Sequence, residues 1–246
     1  MALKASPDDQ ALLLELQAID TRLQQLDRRA KTLPELATLA ALGSEADSLR
    51  SERLSATGAV EDAKLELGRV ESDVSLVETR ITRDTERLQG SSSVKDVAGL
   101  ESELAGLKKR QLDLEEIELT VMEKLEGLEA AAGALSSRLA EVDAKVAEVS
   151  AERDASLGTL TSERTHAAAN RSTIAAKVPA DLLALYERQR ERYGFGASLL
   201  QGGKSSASGV QLNESDMQVV RAAALDDVLL CPDSNAILVR TNESGI

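Results

Sequence analysis

The side chains able to do chemistry in these 246 residues are few and scattered. There is one histidine, His166, and one cysteine, Cys231, and the two lie far apart in the chain. Nucleophilic catalysis needs a base within hydrogen-bond reach of the nucleophile, and neither residue has such a neighbour in sequence. Gly203-Lys204-Ser205 has the residue types of a phosphate loop, in which backbone amides, a lysine and a hydroxyl cradle a triphosphate. Its spacing fails, because Ser198 stands where the first glycine belongs and no convincing strand precedes it. Carboxylate pairs such as Glu115 and Glu116 are ordinary on a helix of this charge density. No nucleophile, base and oxyanion donor are assembled, and the expectation is a protein that is not an enzyme and carries no cofactor.

The residues that could bind a partner cluster better. Tyr186, Tyr193 and Phe195 are the chain's only aromatics, and Arg188, Arg190 and Arg192 lie among them. Together with Lys204 and Arg221 these arginines could meet nucleic acid, as could the run Lys108, Lys109, Arg110. The net charge of −13 argues against a broad basic surface, since phosphate binding is driven by neutralisation and counterion release. The surface centred on Tyr186, Arg188, Arg190, Tyr193 and Phe195 therefore reads first as a protein-docking site.

Long helices must position these residues. Three aromatics in a chain of this length are too few for a conventional globular core. Prolines occur only at 7, 34, 179 and 232, so nothing breaks a helix between Glu35 and Val178. Apolar residues recur in alternating threes and fours along Leu12, Leu16, Ile19, Leu23, Leu26, then from Leu42 to Leu88, then from Leu100 to Leu160. That spacing is a coiled-coil seam. Gly90 to Val94 is the one plausible sharp turn, and a kink or short break is expected near Pro34. The predicted fold is mainly α, with residues 1–178 forming a long antiparallel coiled-coil hairpin. A turn at residue 92 sets Val70 beside Leu114 and Leu49 beside Leu135; two independent helices in an intermolecular coiled coil are the alternative.

Residues 179–246 read as a joint helix from Pro179 to about Tyr193, a glycine- and serine-rich segment from Gly194 to Gly209, a short helix from Glu214 to about Ala224, and strands at 228–230 and 237–239. The apolar material for a small core includes Leu200, Val210, Met217, Leu225, Leu230 and Ile237. Cys231 reads as a small buried residue, with a lone reactive thiol as the alternative.

The order of Gly90-Ser-Ser-Ser-Val-Lys-Asp, Leu107-Lys-Lys-Arg-Gln, Leu185-Tyr-Glu-Arg-Gln-Arg and Leu230-Cys-Pro-Asp-Ser-Asn-Ala resembles bacterial proteins with a helical hairpin followed by a four-cysteine zinc ribbon. In that family two Cys-x-x-Cys knuckles enclose one tetrahedral zinc ion. Aligned on the flanking residues, the ligand positions fall on Ser205, Ser208, Cys231 and Ser234, so three thiolates are missing. The resemblance implies a small α+β zinc-ribbon-like domain without its metal site. It also implies a protein-interaction factor, an adaptor or scaffold, with a nucleic-acid-binding regulator of RNA or DNA as the alternative. A single cysteine, no leader and no apolar run of membrane-spanning length suit the cytoplasm.

Overall fold

The computed structural model describes residues 3–245. Helix α1 (Pro7–Lys31) starts where Ser6 accepts a hydrogen bond from the Asp9 amide at 3.0 Å, with a proline at the first position and Asp8 and Asp9 in the first turn. Each of these favours a helix N-terminus. It ends at Thr32, because the residue before Pro34 is pushed out of helical geometry. Two long helices follow, α2 (Pro34–Gly90) and α3 (Val94–Ala175), separated by Ser91–Ser93. Then come α4 (Ala180–Tyr193), β1 (Ala197–Gln201), β2 (Lys204–Ser205), α5 (Glu214–Ala222), β3 (Leu229–Leu230) and β4 (Ile237–Val239).

Packing divides the chain into two units: residues 35–151, and residues 1–34 together with 152–246. In the first, α2 folds back along the opening part of α3 as a helical hairpin. One layer buries Ala46, Leu49, Leu139 and Val142, with Leu42, Leu135 and Val146 half-buried against it. Leu135, the residue expected beside Leu49, therefore sits at the layer's edge, and the register lies about one helical turn further along α3. Ion pairs flank the seam on both sides, Arg50–Asp143 (3.2 Å) and Lys64–Glu129 (3.3 Å) on one and Glu45–Arg138 (3.0 Å) on the other. Every Cα–Cβ bond tilts towards its helix N-terminus. Side chains on α2 thus lean away from the turn and those on α3 lean towards it, so facing residues are not equidistant from the turn.

In the other unit, α1 packs beside the last part of α3 and both pack against the tail. The tail sheet has the order β2-β1-β4-β3, with β1 parallel to β4 and the other pairs antiparallel. Alternation along the strands splits its side chains between two cores. Ala197, Ile237 and Val239 join Leu13, Leu16, Ile174, Leu182 and Tyr186, while Leu200 and Leu238 join Leu212, Met217, Val220 and Cys231. One core of the tail is thus shared with the helices. Val210, Leu225 and Leu230, read above as core material, are 49, 70 and 43% exposed.

Most of the glycine- and serine-rich segment is a β-hairpin, β1 and β2. Gly202 and Gly203 both have positive φ (53° and 77°), as a two-residue turn between β1 and β2 requires, and glycine adopts that geometry without steric cost. This hairpin also disposes of the phosphate-loop pattern, since Lys204 and Ser205 belong to β2 and no helix follows them directly.

Candidate docking site at the helix–sheet joint

Tyr186 stands at the centre of the joint, fully buried on α4. Its hydroxyl donates to Asp20 Oδ2 on α1 at 2.7 Å. Asp20, itself 3% exposed, also accepts from Arg171 of α3 at 2.5 and 3.1 Å. Arg171 continues to Glu187 at 2.6 Å, and Arg190 closes the network on Glu187 at 2.7 Å and Asp20 at 3.4 Å. Burial, with the Asp20 carboxylate beside it, raises the pKa of the Tyr186 hydroxyl. The hydrogen bond to Asp20 likewise raises that of Arg171. Every charge here is paired, the condition under which buried charge is tolerated.

The same region fastens β1. Gln17 Oε1 accepts the Gly196 and Ala197 amides at 2.8 and 3.2 Å. A Cβ at Gly196 would lie 2.8 Å from Tyr186 Cζ, so only glycine lets the backbone pass the ring. Asp20, Gln17, Arg171 and Glu187 carry the joint, yet sequence reasoning did not single them out. Their signal is faint: the buried residues of α1 are Gln10, Leu13, Leu16, Gln17, Asp20 and Leu26, and a search for apolar seams finds only the leucines among them.

Glu187 makes the joint sensitive to acid. Burial pushes its carboxyl up, but Arg171 and Arg190 outweigh that and hold it below its ordinary value of 4.5. A depressed folded value stabilises the fold above the unfolded value and is lost as pH falls through the folded one. Between about pH 5 and about pH 3 the melting temperature is expected to fall, and less steeply in Glu187→Gln. Parallel curves for the two proteins would show that Glu187 contributes nothing.

The remaining predicted site residues separate into different roles. Arg190 is spent on Asp20 and Glu187, Arg188 is exposed, and Arg192 stacks over Tyr193 at 5.3 Å. Tyr193 and Phe195 are 41 and 38% exposed. Phe195 lies in an open groove of about 640 Å³ in which Leu14 and Ala18 of α1 face Ala197 and Leu199 of β1, with Ala207 beyond. Arg22, also on that groove, is tied to Glu163. His166 is exposed on α3, away from any thiol.

Two turns of the tail are built alike. Cys231 N–H donates to Ala236 O and accepts, at its own carbonyl, the Asn235 amide, each at 2.8 Å. Ser205 N–H donates to Val210 O at 3.1 Å and its carbonyl accepts the Gly209 amide at 2.8 Å. Asn235 and Gly209 share positive φ, 57° and 70°. Ser234 and Ser208 occupy the same place in each turn, their hydroxyls accepting the Ala236 and Val210 amides at 3.4 and 3.2 Å. The turns converge on the buried Cys231. Burial pushes its thiol up, but hydrogen bonds from Ser205 and Ser234 outweigh burial and leave it below its ordinary value. Ser205 is bonded in turn to Ser198 at 2.7 Å. Three hydroxyls and one thiol are a poor zinc set, and among the described residues no three of His, Cys, Asp or Glu come together as metal ligands.

Residues 16–194 match the family described as the CT398-like coiled coil hairpin domain. The chain belongs to that family. Its sequence is 33% identical over 239 residues, 97% of this chain and 98% of each relative, to the uncharacterized proteins MT2288 and Rv2229c of two Mycobacterium tuberculosis strains. A solved structure from Mycobacterium smegmatis is 32% identical, with a TM-score of 0.89 over 97% of this chain and all of the other. CT398 from Chlamydia trachomatis shares the fold at 17% identity, with a TM-score of 0.68 over 95% of this chain and 98% of its own. Among the described residues no helix is long and apolar enough to cross a membrane.

Proposed function

We propose that this chain is a non-enzymatic cytoplasmic scaffold that binds a partner protein at the joint between α1 and the tail sheet. The observation that carries the reading is the groove beside Phe195. An aromatic ring left exposed next to a buried, ion-paired joint offers a rigid apolar anchor at little entropic cost. The tail fits the same reading as a zinc-ribbon-like module whose metal has been replaced by hydrogen bonds around Cys231 and by a core shared with the helices. A nucleic-acid role is less well supported, because Arg190 is committed to internal carboxylates and the net charge is −13.

The reading is tested by recovering partners on full-length protein and on Phe195→Ala. A protein is expected to be recovered by the wild type at both about 50 and about 200 mM salt, and lost with Phe195→Ala while the helical circular dichroism persists. Recovery indifferent to Phe195 would move docking elsewhere. Recovery of nucleic acid that collapses between those salt concentrations would favour the regulator instead.

A further inference from the structure

The hairpin of residues 35–151 exposes large apolar side chains that its own seam does not use. On α3, Leu112, Leu119 and Met122 are 66, 62 and 42% exposed. Steps of seven and three residues keep them on one face, and a further step of seven reaches Glu129. Glu129 identifies the flank, since it crosses to Lys64 of α2 at 3.3 Å. Gly68 and Ser75, four and eleven residues beyond Lys64, continue that flank along α2. This flank of the hairpin is thus a lane that carries leucine and methionine from α3 and the small residues Gly68 and Ser75 from α2.

Carboxylates rim the lane. Glu71 follows the same flank of α2, seven residues beyond Lys64, and Glu115 and Glu126 follow that of α3. We propose that this lane receives a basic amphipathic helix of a partner protein. Its leucines would rest on Leu112, Leu119 and Met122, and its lysines or arginines would face Glu71, Glu115 and Glu126, the helix-in-groove mode of recognition. Charge decides against a second copy of this chain. Symmetric pairing of two lanes would set these carboxylates against their own counterparts in a protein of net charge −13. The lane is separate from the Phe195 groove, and either site can fail without the other.

The probe is a fluorescein-labelled synthetic helix of about 18 residues with leucine at i, i+3, i+4 and i+7 and lysine elsewhere, followed by anisotropy on the full-length chain. Saturable binding is expected, and none to the matching peptide with glutamate for lysine. Leu112→Ser/Leu119→Ser should weaken binding about tenfold or more, whereas Leu76→Ser, on an exposed leucine of the opposite flank of α2, should not. Glu71→Gln/Glu115→Gln, which leaves the apolar wall whole, should weaken binding and flatten its dependence on salt. Equal binding by the wild type and both double variants would overturn the proposal, since it would mean diffuse attraction to an acidic rod. So would a wild-type dimer in sedimentation that Leu112→Ser/Leu119→Ser dissociates, because a second copy would then be the occupant.

Discussion

Ser205→Cys, Ser208→Cys and Ser234→Cys together are expected to yield a protein that purifies with close to one zinc ion per chain. The reason is geometric. The backbone at Ser205–Val210 repeats the hydrogen bonds at Cys231–Ala236, positive φ included, and the two turns converge on one thiol. Four thiolates there would meet the requirement of a tetrahedral site that three hydroxyls do not. Structural zinc binds small modules with an apparent free energy of about 10–16 kcal/mol at neutral pH. Even if much of that is spent breaking the Ser198–Ser205 contact, the tail should melt at a distinctly higher temperature with zinc than after chelation. Metal analysis and melting with and without chelator decide the matter. A folded triple variant that retains no zinc through dialysis would show that the turns resemble knuckles in backbone only. The wild type, with the hydroxyl set, is expected to show no chelator effect.

Asp20→Ala is expected to cost about 3 kcal/mol, because it removes the buried carboxylate on which the half-buried Arg171 and the buried Tyr186 hydroxyl both make their shortest hydrogen bonds. Arg171 loses two hydrogen bonds, Arg190 loses one of its carboxylates, and the Tyr186 hydroxyl loses its shorter acceptor and keeps only Gln17 Oε1 at 3.4 Å. Asp20→Asn should cost less, since an amide oxygen still accepts from Tyr186 while the charge is gone. Chemical denaturation of the full-length protein measures both. A loss below about 1 kcal/mol for Asp20→Ala would mean that the apolar cluster around Leu13, Leu16, Ile174 and Leu182 holds the joint unaided.

The contrast between these two experiments reflects what was legible in the chain. Helices α2 and α3 could be read from their seams, and the turn at Ser91–Ser93 from its serines, because a heptad repeat and a helix stop are local properties of spacing and residue type. Ile237–Val239 and the Glu214 helix were equally local, the latter capped by Asn213, which accepts from the Asp216 amide at 2.8 Å. The side-chain register between α2 and α3 was not, since it depends on how Cβ vectors lean in two antiparallel helices.

The joint and the tail mark the other limit. Tyr186 and Phe195 were visible as aromatics, but nothing in their spacing says that one is buried on Asp20 while the other borders an open groove. Asp20, Arg171 and Glu187 come from three helices and acquire their roles only where those helices meet the sheet. A charged residue carries no periodic signature of burial, because whether it is solvated or paired depends on neighbours remote in sequence. By itself the sequence determined the helical rod, its turn and the types of side chain available. Tertiary structure decided which polar groups are buried, which aromatic is exposed and which serines gather around Cys231, because each of these rests on contacts between residues far apart in the chain.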